Sequence, residues 1–127
     1  LAQVVNADYV LTALQEQDVT VLDARPKARF TAQEKEARPG LRSGHMPGAH
    51  NMPFMNLQKG GALLPVEELK QVLGNYLQQR EVITTCGSGV TATVIFLALT
   101  VCGYSEAKLY DGSWAEWGSC EDLPIAS

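Results

Sequence analysis

Apolar positions along the chain fall into short β-branched runs that alternate with stretches of helical spacing. Gln3-Val4-Val5 predicts an opening strand. Asn6 or Asp8 then caps a helix over residues 7–17, with Val10, Leu11 and Leu14 on one face. Val19-Thr20-Val21-Leu22 predicts a second strand, closed by Asp23 and by Arg25-Pro26. Residues 27–48 are rich in charge, glycine and proline and read as a long loop of functional type, with one helical turn near 28–30. Residues 49–52 predict a short strand that ends at Pro53. Beyond Gly60-Gly61, Pro65 opens a helix to about Gln79, striped by Val66, Leu69, Val72, Leu73, Tyr76 and Leu77. Residues 82–85 predict a fourth strand and residues 90–102 a buried helix ended by Gly103. Residues 108–110 predict the last strand, and Ser113 caps a short helix through Trp117.

Strands alternating with helices imply an α/β domain: a central, mostly parallel, five-stranded sheet with helices on both faces, occupying residues 1–127. No repeat, linker or low-complexity segment divides it. The 24 uncharged residues between Glu81 and Glu106 have the length of a membrane span. Cys86-Gly87-Ser88-Gly89, with two threonines before it, would break such a helix early, so the run reads as strand, turn and buried helix rather than membrane.

Composition narrows the function classes. With 127 residues and 46% hydrophobic content, the chain can bury a core and does not read as disordered. Ten basic against 14 acidic residues give a net charge of −4, which points away from nucleic acid and anionic membranes as partners. Three cysteines make no disulfide framework, and no secretory pattern opens the sequence; a reducing, cytoplasmic location is the expectation.

In parallel α/β sheets, chemistry gathers at the carboxyl ends of strands. The junction Thr85-Cys86-Gly87-Ser88-Gly89-Val90-Thr91-Ala92 is the candidate. Its glycines permit a tight turn, and the N–H groups of residues 87–91 with the following helix N-terminus suit a thiolate or small anion. Gly87-x-Gly89-x-x-Ala92 also satisfies a dinucleotide fingerprint, but only 35 residues follow it, too few to complete that fold. A Walker loop would need a lysine that is missing. A nucleophile elbow would need glycine where Cys86 stands. A cysteine phosphatase would need arginine where Ala92 stands, and without that guanidinium phosphoester chemistry is disfavoured. What remains is a cysteine carrying a small anionic or sulfur group.

The same loop, Cys86-Gly87-Ser88-Gly89-Val90-Thr91-Ala92, resembles the active-site loop of the rhodanese superfamily. Within it, the sequence is most similar to the 3-mercaptopyruvate sulfurtransferase branch. Three flanking motifs carry the likeness along the chain: Val21-Leu22-Asp23-Ala24-Arg25, Gly44-His45-Met46-Pro47-Gly48-Ala49, and Leu109-Tyr110-Asp111-Gly112-Ser113-Trp114-x-Glu116-Trp117. The resemblance implies a rhodanese-like fold and a sulfurtransferase that moves a sulfane sulfur from 3-mercaptopyruvate to a thiol or cyanide through a persulfide on Cys86. It also implies a catalytic role for Ser88, a cradle of Gly87, Ser88, Gly89, Val90 and Thr91, and substrate contacts from Arg29 and Arg38. No cofactor and no metal are implied. Thiosulfate sulfurtransfer, or a single-domain persulfide carrier, remains the alternative. Members of this branch resemble a tandem of two such domains, so an N-terminal rhodanese-like partner domain is expected outside this sequence.

The other conspicuous side chains read as structural. Arg25 is expected to hold the fold through an ion pair, and Asp23 and Asp111 to fix turns at strand ends. His45 and His50, five residues apart, lack a third ligand nearby, and His45 is expected to order its loop. Trp114 and Trp117 are expected to pack, and Cys102 and Cys120 to be bystanders.

Overall fold

The fold, a computed structural model, is described for residues 3–87 and 90–127. Its strands are β1 Val4–Val5, β2 Val19–Asp23, β3 His50–Asn51, β4 Gln58–Lys59, β5 Ala62–Leu63, β6 Glu81–Thr85 and β7 Ala107–Tyr110. Five of them form one sheet in the order β1-β7-β6-β2-β3. Every neighbouring pair in it runs parallel. The helices are α1 Ala7–Ala13, α2 Lys27–Phe30, α3 Val66–Leu73, α4 Ala92–Val101 and α5 Ser113–Trp117.

β2 and β6 are buried along their whole lengths, which suits the β-branched and apolar residues that dominate Val19–Leu22 and Val82–Thr85. Their successive side chains still divide between two cores. Leu22 and Val82 join Leu69 and Leu73 of α3 and Ile95 and Leu99 of α4. Val21 and Ile83 join Val10 of α1 and Trp114 and Trp117 of α5. Helices therefore cover both faces.

Local chemistry explains where elements stop, and it corrects several predicted bounds. α1 ends at Ala13 rather than at residue 17, because the next amides bond three residues back: Gln15 N to Thr12 O and Glu16 N to Ala13 O. The helix predicted to Gln79 breaks at Gly74, whose φ of +50° ends the α-ladder; residues 74–78 continue as a 3₁₀ turn. Val66 and Val72 of the predicted stripe are exposed, while Leu69 and Leu73 are buried. Gly60 and Gly61, read only as a break, have φ of +62° and +83° and form the turn between antiparallel β4 and β5. α4 begins at Ala92, not Val90, and closes on Gly103 as predicted. There Gly103 N donates to Thr100 O and Tyr104 N to Leu99 O, a Schellman closure. No helix is long and apolar enough to cross a membrane among the described residues.

Candidate active site

β2, β6 and β7 lie side by side near the middle of the sheet, and their carboxyl ends open at one edge. From β2 the chain proceeds to β3 on one side; from β6 it proceeds to β7 on the other. The crevice between β2 and β6 is thus the point where the winding reverses, the position that favours ligand binding. Asp23 pairs with Thr85 there, and the chain continues to Ala24-Arg25 from one strand and to Cys86 from the other.

Cys86 is the first residue after β6 and is 1% exposed. Its position is fixed from β7. The amides of Trp114 and Ala115, at the start of α5, donate to the carbonyls of Cys86 and Gly87 at 2.8 and 2.9 Å. Ser113, wholly buried, adds its hydroxyl: Oγ accepts from Cys86 N at 3.3 Å and lies 3.8 Å from Cys86 Sγ. The same hydroxyl donates to Tyr110 O at 3.0 Å. The hydroxyl carries a single proton, and either atom can be the donor in its contact with sulfur. Ser113 is also one of two non-glycine residues with a left-handed φ among the described residues, at +54°. Strain of this kind persists where the surroundings enforce it. The predicted capping role is corrected: Gly112 occupies the N-cap position, and Ser113 serves the cysteine instead.

A cavity of about 320 Å³ opens beside this junction. Gly87 and Thr91 line one wall, and Arg25, Arg29, Glu34 and Glu36 line another. Gly87 does not use a left-handed φ, and among the described residues a side-chain carbon built on it meets nothing within 4 Å. A second cavity, about 400 Å³, lies between the start of the chain, α4 and β7. Its walls include Phe96, Leu109 and Tyr104 and, among the described residues, no cysteine, histidine or charged side chain.

The charged wall is an alternating chain. Arg25 grips Asp23 through Nε and Nη2, donates from Nη2 to Gly44 O at 2.7 Å, and stacks over Trp114 at 4.4 Å. Its Nη1 meets Glu36 at 3.4 Å. Glu36 in turn meets Arg29 at 3.2 Å, and Arg29 meets Glu34 at 3.0 Å. Arg25 thus has the structural ion pair read from the sequence, and Asp23 fixes the turn by accepting from Arg25 N.

Of the predicted site residues, Gly87, Thr91 and Arg29 line the cavity, and Cys86 directly precedes Gly87 at the end of β6. Val90 stands 71% exposed. Arg38 is exposed on the 31–43 loop and does not line the cavity. Ser88 and Gly89 lie outside the described residues. His45 stacks on Phe30 at 3.9 Å and its Nδ1 bonds Phe30 O, which orders the loop as expected. His50 rests against Tyr76. Among the described residues no group of three or more His, Cys, Asp and Glu side chains could hold a metal ion. Trp114 and Trp117 are buried, with indole N–H groups donating to Arg42 O and Pro124 O. The three cysteines form no disulfide, and burial pushes the Cys102 thiol above its ordinary range.

Ser113, Glu34 and Glu36 were not singled out for the site from the sequence. The parallel pairing of β6 and β7 is the signal for Ser113, since it sets the end of β7 beside Cys86. The two glutamates are hidden among the other charges of the loop.

The sequence matches the Rhodanese-like domain family over residues 6–120. It is 45% identical, over 96% of this chain and 44% of the relative, to 3-mercaptopyruvate sulfurtransferase of Escherichia coli strain K12. It is 38% identical, over 94% of this chain and 32% of the relative, to thiosulfate/3-mercaptopyruvate sulfurtransferase 1, mitochondrial, of Arabidopsis thaliana. The crystal structure of SseA from Escherichia coli, a 3-mercaptopyruvate sulfotransferase with the rhodanese fold, superposes with a TM-score of 0.73 at 42% identity, over 87% of this chain and 42% of that one. The chain spans less than half the length of these relatives.

Proposed function

Because the chain belongs to the rhodanese-like domain family, we propose that it is a sulfurtransferase domain in which Cys86 takes sulfur from 3-mercaptopyruvate and passes it to a thiol or cyanide. The carrying observation is the placement of Cys86 at the end of the central strand, beside a cavity walled by Arg29, Thr91 and Gly87. The Cys86 thiolate attacks the donor sulfur, forming an S–S bond as the C–S bond breaks. The bonding pair leaves with carbon as the enolate of pyruvate, which the neighbouring carbonyl stabilises and which then takes a proton. The acceptor thiol attacks the outer sulfur next and restores Cys86. Two easier displacements replace one difficult transfer.

Arg29 supplies the cationic grip for the donor carboxylate, and its fork can make two parallel hydrogen bonds to it. The Ser113 hydroxyl lies within reach of the sulfur that bears charge. Ser88, Gly89 and Val90 complete the cradle, and Arg38 provides a second cation as its loop meets the donor, both by likeness to the family. The matched share of the relatives supports a second, N-terminal rhodanese-like domain as partner, with this chain as the C-terminal half. A reducing compartment such as the cytoplasm suits a cysteine that must cycle between thiol and persulfide.

The test is intact-mass and peptide mass spectrometry after incubation with 3-mercaptopyruvate or with thiosulfate. A gain of one sulfur atom on Cys86, removed by cyanide and missing in Cys86→Ser, is the expected result. No sulfur on Cys86 from either donor refutes the proposal, and sulfur from thiosulfate alone reverses the donor assignment.

A further inference from the structure

Glu34 and Glu36 both bind Arg29, but they are held very differently. The Glu36 carboxyl is 8% exposed, is shared with Arg25, and follows a backbone amide that donates to Ser43 Oγ at 3.0 Å. The Glu34 carboxyl is 58% exposed, and Arg29 is its ion-pair partner. Glu36 is therefore a fixed part of the wall and Glu34 a removable one.

The backbone is bent to bring Glu34 there. Ala32 sits at φ +64°, the second left-handed non-glycine residue, and Glu34 N donates to Ala28 O at 2.9 Å. This turn folds the chain back over α2 and sets the carboxylate against Arg29. Alanine rarely adopts this region, so the turn is maintained against strain. The pairing is also imperfect. Glu34 is paired through Nη2, while the buried Arg29 Nε has no acceptor among the described residues. Nε and Nη2 form one edge of the guanidinium, the edge a carboxylate binds with two parallel bonds.

We propose that Glu34 is a built-in stand-in for the donor's carboxylate, occupying Arg29 until a carboxylate-bearing donor displaces it onto solvent. This rests on Arg29 gripping the donor, as argued above. Displacement swaps one carboxylate for another, so the alternating series Asp23, Arg25, Glu36, Arg29, Glu34 keeps its charge balance. An incoming carboxylate that uses Nε and Nη2 together makes the bond that Glu34 leaves unmade. An uncharged sulfur compound does not open the pair. Glu34 thus favours donors whose anionic group makes both bonds to Arg29.

The test is a double-mutant cycle on Glu34→Gln and Arg29→Ala, with pyruvate as an inert probe of carboxylate binding, followed by NMR titration. Glu34→Gln should bind pyruvate about two- to five-fold more tightly than the wild-type chain, the worth of a half-exposed ion pair. That gain should vanish when Arg29 is alanine. The 3-mercaptopyruvate concentration giving half-maximal persulfide formation should fall by the same factor. Unchanged or weaker pyruvate binding in Glu34→Gln overturns the proposal, as does a gain that survives Arg29→Ala. A wild-type chain that forms no persulfide refutes the sulfurtransferase reading instead, and the pyruvate titration still decides the role of Glu34.

Discussion

Replacing Ser113 separates two things that one residue does. Its hydroxyl accepts from Cys86 N, lies near Cys86 Sγ and donates to Tyr110 O, all in a fully buried position. Its backbone holds a φ of +54°. Ser113→Ala removes the hydroxyl and keeps a side chain in the strained region. A buried polar group left unpaired costs about 1–3 kcal/mol, and the 3.3 Å contact to Cys86 N is long, so a loss of about 2 kcal/mol is expected in all. Ser113→Gly loses the same bonds but relieves about 1–2 kcal/mol of left-handed strain. Against this stands about 0.5–1 kcal/mol for the added freedom of glycine in the unfolded chain. Urea unfolding should therefore rank wild type first, Ser113→Gly second and Ser113→Ala last, with the two variants about 0.5–1 kcal/mol apart. The lifetime of the Cys86 persulfide should respond differently. Both variants lack the hydroxyl, so both should lose the sulfur faster and to the same degree, by roughly five-fold for about 1 kcal/mol of lost hydrogen bonding. Glycine no more stable than alanine, or a persulfide lifetime equal to wild type in both, would refute this reasoning.

Three further outcomes follow from the same structure. Arg29→Lys keeps the charge but loses the fork, and should raise the half-saturating 3-mercaptopyruvate concentration for persulfide formation about ten-fold; an unchanged value denies Arg29 the carboxylate. Tyr9 is pushed up to about 12, first by its hydrogen bond to Glu81, and Tyr104 to about 12 by burial, while Tyr110 is raised by burial and by Glu116. Unfolded tyrosines ionise near 10. Because the folded protein holds these protons longer, the stability they contribute is complete below about pH 10 and is lost as pH rises toward 12. Tyrosinate absorbance should thus appear at lower pH in urea than in the native protein, and coincident titrations would contradict the assignment. At Gly44, with φ +120°, a side-chain carbon would clash with the Ala126 carbonyl oxygen. Gly44→Ala should lower the unfolding free energy by about 1–3 kcal/mol or more, and a midpoint equal to wild type would show that the His45–Ala126 pairing gives way freely.

The order of strands and helices was legible because β-branched runs and helical spacing rarely coincide. β2 and β6 stand out as runs rich in β-branched residues, and Gly103 marks a helix end by a conformation that suits glycine. The bounds were less legible, since the choice between α and 3₁₀ bonding after Ala13 and Gly74 depends on how each turn packs. In the site, Cys86 was legible from its neighbours along the chain. The ion-pair series was not: in a loop bearing many charges, only the turn at Ala32 decides which carboxylate meets which guanidinium. Ser113 was hidden for another reason, as its 27-residue separation from Cys86 closes only through the pairing of β6 with β7.

The clasp of α5 on the cysteine also bears on how the protein is made. The carbonyls of Cys86 and Gly87 wait for amides supplied by Trp114 and Ala115, and the Cys86 amide waits for Ser113. During synthesis the cysteine emerges well before these partners, so a nascent chain carries the nucleophile without its setting. On the proposed function, sulfur transfer then waits for α5 to dock. On the same reading, the reactivity of one thiol becomes a readout of a docked α5, whose Trp114 and Trp117 also complete the core on that face.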